Sequence, residues 1–105
     1  ARGERIELLR TAESGGARLP IWRQIIADSL GMPLDVLPVG EPGCLGAALL
    51  AGVGVGAYAD LSAAVGQAVP AGSPIWPDAA RAALYCERRE LSNGAYRLIE
   101  PLLYH

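Results

Sequence analysis

The sequence is poor in the residues from which many catalytic and metal sites are built. It has one histidine, the last residue His105, and two cysteines, Cys44 and Cys86, which lie far apart. Neither cysteine has a Cys or His neighbour at metal-ligand spacing, and two cysteines are too few for a disulfide framework. A histidine at a chain end seldom keeps the partners that catalysis needs, so no Ser-His-acid set is available. We expect both thiols to be reduced and packed in the core.

Lysine is also absent, and the nine arginines are outnumbered by eleven acidic residues, which leaves a net charge of −2. Such a balance creates no field that would attract nucleic acid or anionic lipid. No apolar run reaches the length of about 18 residues that a membrane span requires. The sequence opens at Ala1, with neither an initiator Met nor a leader pattern. We expect a cytoplasmic chain, excised from a longer protein, without nucleic-acid or membrane partners.

The length of 105 residues allows one modest domain, residues 1–105. Residues 5–12 are apolar enough for a strand, although their imperfect alternation leaves a helix open. Residues 20–30 repeat apolar side chains at helical spacing between Pro20 and Gly31, which predicts a helix. Residues 33–39 form a short strand pattern whose two prolines place it at a sheet edge or mark its ends. The order strand, helix, strand predicts the α/β class, with few strands and several helices.

The second half of the chain predicts helices. Residues 43–58 are apolar on every side and rich in Gly and Ala, so a helix there must be buried against close neighbours. Asp60 and Asp78 are suited to cap two further helices, separated by a break at residues 70–74. Residues 92–94, Ser-Asn-Gly, are a candidate interruption of the last helix.

One turn carries a chemical signal. Residues Ser14, Gly15, Gly16 and Ala17 connect the predicted first strand to the helix that begins at Pro20. This layout gathers unpaired backbone N–H groups and the positive end of a helix dipole, which suits an anion or the polar edge of a nucleotide. It is neither a Walker loop nor a dinucleotide fingerprint. By spacing alone, an ordinary strand-to-helix turn is the simpler interpretation.

The other polar and aromatic candidates are weaker. Glu41 can face a ligand or favour the start of the next helix by its charge, and the second role is commoner. Trp22 and Trp76 can stack on a base, but their apolar surroundings favour core packing. Asp28 lies on the opposite side of its helix from Trp22, which predicts a solvated position or a surface ion pair.

Two longer runs resemble one known family. Residues 15–31 and residues 41–56 resemble, in that order, a post-strand segment and a small-residue helix of FGGY carbohydrate kinases, especially the xylulokinase-like branch. Residues 58–61 and 77–85 follow in the family's order, and the resemblance extends from about residue 8 to residue 103. It implies the C-terminal part of an actin-like (ribonuclease H-like) ATPase lobe.

The resemblance also implies a function. Such kinases transfer the γ-phosphoryl group of ATP, with Mg²⁺, to a sugar hydroxyl, and xylulose or a related pentulose is the expected sugar. It assigns Gly15, Gly16 and Ala17 to the nucleotide. Pro20 stands where some members present an Asn to adenine, and because proline has neither a side-chain donor nor an N–H, only van der Waals contact is expected there. Glu13 and Ser14 depart from the family pattern, and the Glu13 charge disfavours phosphate.

Other parts of such an enzyme have no counterpart in this sequence. In the family, the catalytic Asp, the first phosphate loop with its metal-associated Asp, and the sugar lobe all lie upstream, so most of the magnesium site lies there too. We therefore expect the chain alone to be inactive, with no catalytic or metal residue of its own, and to self-associate through exposed apolar surface. The alternative hypothesis is a non-catalytic interaction domain that retains the kinase scaffold.

Overall fold

The structure, a computed structural model, describes residues 3–104 and has the predicted α/β class. His105 lies outside the described residues. The elements in chain order are β1 (Leu9–Ala12), a 3₁₀ turn (Gly15–Arg18), α1 (Pro20–Leu30), β2 (Leu34–Leu37), α2 (Pro42–Gly54), α3 (Leu61–Ala68), β3 (Ser73–Ile75) and α4 (Ala79–Leu103). Of the two alternatives for residues 5–12, the strand is confirmed, although it is shorter than the apolar run.

The described strands form one sheet in the order β1-β2-β3, in which β1 and β2 are parallel and β3 runs antiparallel to β2. Helix α1 is the crossover between the parallel strands, so their carboxyl ends meet at one edge, with Ala12 beside Leu37. Because β2 is central, the prolines on either side of it mark the strand ends, not a sheet edge. Strand β3 lies partly in the segment predicted to be a break, and its three residues are too few to show a period.

Helix α1 has the predicted bounds and anchors the core. Pro20 occupies its first turn, and Gly31, at φ +64°, ends it in the left-handed conformation. Ala27 is fully buried and packs with Leu34 and Val36 of β2, so α1 lies on the sheet through its small residue. The prediction that Trp22 packs in the core is wrong, because this residue is 49% exposed.

Helix α2 is present, but the predicted burial around it is wrong. Among its residues only Leu49 is buried, whereas Leu50 is 62% exposed. Close packing holds at Gly52, where an added Cβ would lie 2.7 Å from Cδ2 of Tyr58. The expectation of core thiols is also wrong, since Cys44 on α2 and Cys86 on α4 are both exposed.

The two predicted aspartate caps are confirmed, and the helix after the second cap is longer than expected. Asp60 accepts a hydrogen bond from the Ala63 amide at 2.8 Å, and Asp78 accepts one from the Arg81 amide at 2.9 Å. Helix α4 continues through residues 92–94 without the expected interruption, because one internal glycine costs only about 1 kcal/mol.

The Cα radius of gyration is 18.5 Å, against about 13 Å for a compact domain of this size. Nowhere in residues 3–104 is a helix both long and apolar enough to cross a bilayer.

Two glycine-to-alanine changes should have opposite effects on stability. Gly31→Ala forces a side chain into the left-handed conformation and should lower the free energy of unfolding by about 1 kcal/mol. Gly94→Ala, in the interior of α4 with open space at its Cβ position, should raise it by about 0.5 kcal/mol. Urea unfolding followed by circular dichroism measures both. Shifts of the same sign would contradict the assigned helix end.

Candidate functional site

The predicted turn lies at the carboxyl end of β1, where the 3₁₀ turn Gly15–Arg18 leads into α1. The Ser14 carbonyl accepts the Ala17 amide at 3.1 Å, and the Gly16 carbonyl accepts the Leu19 amide at 3.0 Å. The amides of Gly15 and Gly16 donate to no acceptor among residues 3–104. Two adjacent N–H groups are therefore free to bind an anion or a polar ligand edge.

The two glycines of the turn serve different purposes. Gly15 has φ +56°, and a Cβ added to it would meet nothing within 4 Å, so the residue is needed for backbone conformation and faces open space. A Cβ on Gly16 would lie 3.1 Å from Cδ1 of Trp22, so that position is closed by the indole ring. The space beside the turn that a ligand can use is thus at Gly15.

The remaining predicted residues lie in the same short segment. Ala17 is only 8% exposed, and its side chain packs beneath the turn, away from solvent. Pro20 is exposed at the first position of α1 and borders a cavity. Gly15, Gly16 and Pro20 are therefore exposed within one short segment, whereas Ala17 in the same segment is buried.

The charge of Glu13, expected to repel phosphate, is compensated. Its carboxylate lies 3.3 Å from Nη2 of Arg23, which also donates to the Arg18 carbonyl at 3.0 Å. The Arg23 side chain is 15% exposed, so its positive charge lies under the turn. This ion pair reduces the repulsion that the sequence alone predicts.

A cavity of about 500 Å³ lies between α1 and α4, and Pro20 is the lining residue nearest in sequence to the turn. This volume is in the range of small-molecule sites. Its lining combines apolar side chains with a few polar groups: Pro20, Ile21, Gln24, Ile25, Asp28, Arg81 and Tyr85.

Asp28 is the centre of the polar cluster in this cavity, and the predicted solvated position is wrong because its side chain is 1% exposed. Its Oδ1 accepts from Gln24 Nε2 and from the Asp78 amide, both at 2.8 Å, and its Oδ2 accepts from Arg81 Nε at 2.7 Å. Asp28 thus joins α1 to the start of α4. Its pairing with Arg81 spans 53 positions, so no local spacing in the sequence could have revealed it.

The cluster keeps Asp28 ionised. Burial by itself would raise the pKa of Asp28, but the hydrogen bonds from the Asp78 amide, the Gln24 amide and the Arg81 guanidinium outweigh it and lower that pKa below its ordinary value. In return, the hydrogen bond to Asp28 raises the pKa of Arg81. The pair is therefore charged on both sides near neutral pH.

Further contacts fasten α4 and the segment just before it to α1. Gln24 Nε2 also donates to the Trp76 carbonyl, and Nη1 of Arg89 donates to the Ser29 carbonyl, each at 2.8 Å. Trp76 contributes its backbone here, since its side chain is 67% exposed and not in the core as expected.

The last candidates do not join the site. Glu41 is exposed at the start of α2. Its side chain makes no capping hydrogen bond within residues 3–104, and its carbonyl accepts the Leu45 amide. Within the described part of the chain, no group of three or more His, Cys, Asp or Glu residues is placed to hold a metal ion.

Acid should weaken the attachment of α4 through Asp28. Because the folded pKa lies below the ordinary 3.8, the stabilisation by Asp28 is present above that value and is lost as the pH falls through the folded pKa. Near pH 7, Asp28→Asn should lower Tm by roughly 8 °C or more, and this difference from the unaltered chain should shrink towards about pH 3. Thermal unfolding followed by circular dichroism measures it.

Asp35→Asn is the matched control. The Asp35 carboxylate pairs with Arg10 at 3.1 Å, and the Arg10 side chain is 62% exposed, so this substitution should cost less than Asp28→Asn. An Asp28→Asn difference that is the same at both ends of the pH range would refute the charged cluster.

Comparisons with known proteins identify the family. Residues 12–55, which include the turn, α1 and α2, match the FGGY family of carbohydrate kinases, C-terminal domain. A xylulose kinase of Escherichia coli is 38% identical over 94 residues, which are 89% of this chain and 19% of that protein. An L-fuculokinase of Haemophilus influenzae is 38% identical over 64 residues, 61% of this chain and 14% of that protein.

The fold has a counterpart among solved structures. The crystal structure of xylulose kinase from Rhodospirillum rubrum matches with a TM-score of 0.64 and 28% identity, over 92% of this chain and 20% of that one. The chain thus spans less than a fifth of the length of the two curated relatives named above. These matches show that the chain belongs to the FGGY family of carbohydrate kinases and corresponds to its C-terminal domain.

Proposed function

We propose that this chain forms the nucleotide-side wall of an ATP-dependent sugar kinase. The observation that carries the proposal is the turn at Gly15 and Gly16, whose two free amides precede α1, the helix whose first residue, Pro20, lines the cavity between α1 and α4. In this arrangement the amides bind the α-phosphate side of ATP or ADP, and the compensated Glu13 no longer opposes the negative charge.

The base of the nucleotide occupies the cavity. Pro20 and Ile21 at its edge offer apolar contact, and Tyr85 on α4 offers an aromatic face. Because proline has no N–H, Pro20 contributes van der Waals contact only. The volume of about 500 Å³ is sufficient for a purine ring.

The sugar substrate is proposed from the relatives. Xylulose kinases appear both among the curated relatives and among the solved structures, which supports xylulose or a related pentulose. The described residues offer no cluster of acidic side chains for Mg²⁺, and the Glu13 carboxylate at the turn is already paired with Arg23. The residues present do not fit a magnesium site, so we assign no metal ligand to this chain.

Phosphoryl transfer requires a base for the sugar hydroxyl and charge neutralisation from parts on both sides of the nucleotide. The described residues supply one side. We therefore expect no ADP release when the 105-residue chain is incubated with ATP, Mg²⁺ and xylulose, measured by a coupled assay. Sugar-dependent ADP release above the rate with xylulose omitted would show that the chain is a complete catalyst.

A second candidate is a non-catalytic interaction domain on the kinase scaffold. Its support is the apolar surface left open on two helices: Leu50 of α2 is 62% exposed, and Leu98 of α4 is 80% exposed. This candidate predicts association without nucleotide binding, and calorimetry with nucleotides separates the two.

Gly15→Asn should weaken ADP binding by about tenfold or more, because it places a side chain in the open space beside the free amides. Asparagine tolerates the left-handed conformation, so the fold should survive. Gly31→Asn is the matched control, since Gly31 has a similar φ of +64° and equally open space but lies at the other end of α1. Isothermal calorimetry with ADP and Mg²⁺ measures both.

Three results are informative. Loss of binding in Gly15→Asn alone supports the nucleotide wall at this turn. Equal ADP affinity in both variants places the nucleotide elsewhere. Failure of the unaltered chain to bind ADP overturns the proposal for this chain and favours the interaction domain.

A further inference from the structure

The side-chain amide of Gln24 is held in one orientation. Its Nε2 donates to Asp28 Oδ1 and to the Trp76 carbonyl, both at 2.8 Å. A primary amide has two N–H donors, so both are used by these acceptors. The donor end of Gln24 is therefore not available to a ligand.

A 180° rotation of the Gln24 side-chain amide would break both of these hydrogen bonds. Exchange of the nitrogen and oxygen would put Oε1 against a carboxylate oxygen and a carbonyl oxygen, so both hydrogen bonds would be replaced by repulsion between acceptors. Asp28 cannot move away, because the Asp78 amide and Arg81 Nε hold it at 2.8 and 2.7 Å. The acceptor Oε1 is thus the polar end that Gln24 offers.

Gln24 lines the cavity between α1 and α4, and its Oε1 accepts no hydrogen bond from any residue in the range 3–104. The neighbouring walls, Ile21, Ile25 and Tyr85, are apolar or aromatic. A flat ring packed between such walls has Gln24 as a polar neighbour for its edge. A ring substituent that donates a hydrogen bond satisfies Oε1, whereas one that accepts leaves two acceptors opposed.

We propose that Gln24 is a specificity-determining residue, which selects a purine with an exocyclic amino group over one with a carbonyl at the same position. The inference rests on the proposed function, because it assumes that the cavity holds the base. Adenine donates its amino N–H to Oε1, whereas hypoxanthine presents a carbonyl oxygen there.

Arg81 is the cationic side chain in the same lining, and it is already engaged. Its Nε is bound to Asp28, and its Nη2 lies 4.0 Å from Asp78 Oδ2. Its remaining donors suit N7, a ring nitrogen that accepts a hydrogen bond in both purines, so we assign the discrimination to Gln24.

ADP and inosine diphosphate are the probes, because they share the sugar and the phosphates and differ only at one edge of the purine. Adenine has an amino group at C6 and a bare N1 there, whereas hypoxanthine has a carbonyl at C6 and an N1–H. With the full 105-residue chain and Mg²⁺, calorimetry should give an ADP affinity about tenfold higher than that for inosine diphosphate. In Gln24→Met, which keeps the side-chain length, the ratio of the two affinities should fall to about one, mainly because ADP binding weakens.

Gln67→Met is the control, since Gln67 is an exposed glutamine on α3 and does not line the cavity. It should keep the tenfold preference. Circular dichroism checks that each variant is folded. The preference of the unaltered chain for ADP is measured without any substitution.

The outcomes separate this inference from the proposed function. Binding of both nucleotides with equal affinity by the unaltered chain overturns the role of Gln24 and leaves the nucleotide wall intact. A purely structural Gln24 would weaken both nucleotides by the same factor in Gln24→Met and keep their ratio, which also overturns it. Binding of neither nucleotide overturns the proposed function, and the inference fails with it.

Discussion

The buried carboxylate of Asp28 joins the helix that packs on the sheet to the start of α4. On one side, α1 is fixed by Ala27 against Leu34 and Val36. On the other, α4 is held by polar contacts, of which the pair between Asp28 and Arg81 is the shortest. A charge taken out of water is tolerated only when its lone pairs are satisfied, and here three donors satisfy them. The cluster thus joins the two walls of the cavity, α1 and α4.

In the proposed nucleotide site, the turn and the cavity meet different needs of one ligand. The turn offers backbone N–H groups, which bind an anion whatever the side chains are, whereas the cavity offers side chains that can distinguish one ring from another. This division explains why Gly15 matters through its conformation and Gln24 through its chemistry. It also explains why Glu13 is tolerable beside an anion, since Arg23 compensates it locally.

Much of this architecture was predictable from local pattern. The bounds of α1, the caps at Asp60 and Asp78, and the position of the glycine turn follow from short-range chemistry that the sequence displays directly. The cluster around Asp28 was not predictable, because its partners on α4 lie 50 or more positions away. The prediction that α2 is buried was wrong for a related reason. The helix is apolar enough for a core, but the described residues do not surround it, so Cys44 and Leu50 remain exposed.

The hydrogen bond between Asp28 and the Asp78 amide closes a loop of 50 residues, and α2 and α3 lie entirely within that loop. The two walls of the cavity are thus joined directly and not through the intervening helices. Insertions or deletions in residues 55–60, between α2 and α3, change the length of this loop without changing how α1 and α4 pack against each other. The entropic cost of closing the loop grows only slowly with its length. Relatives can therefore differ in this segment and still share the same geometry between α1 and α4.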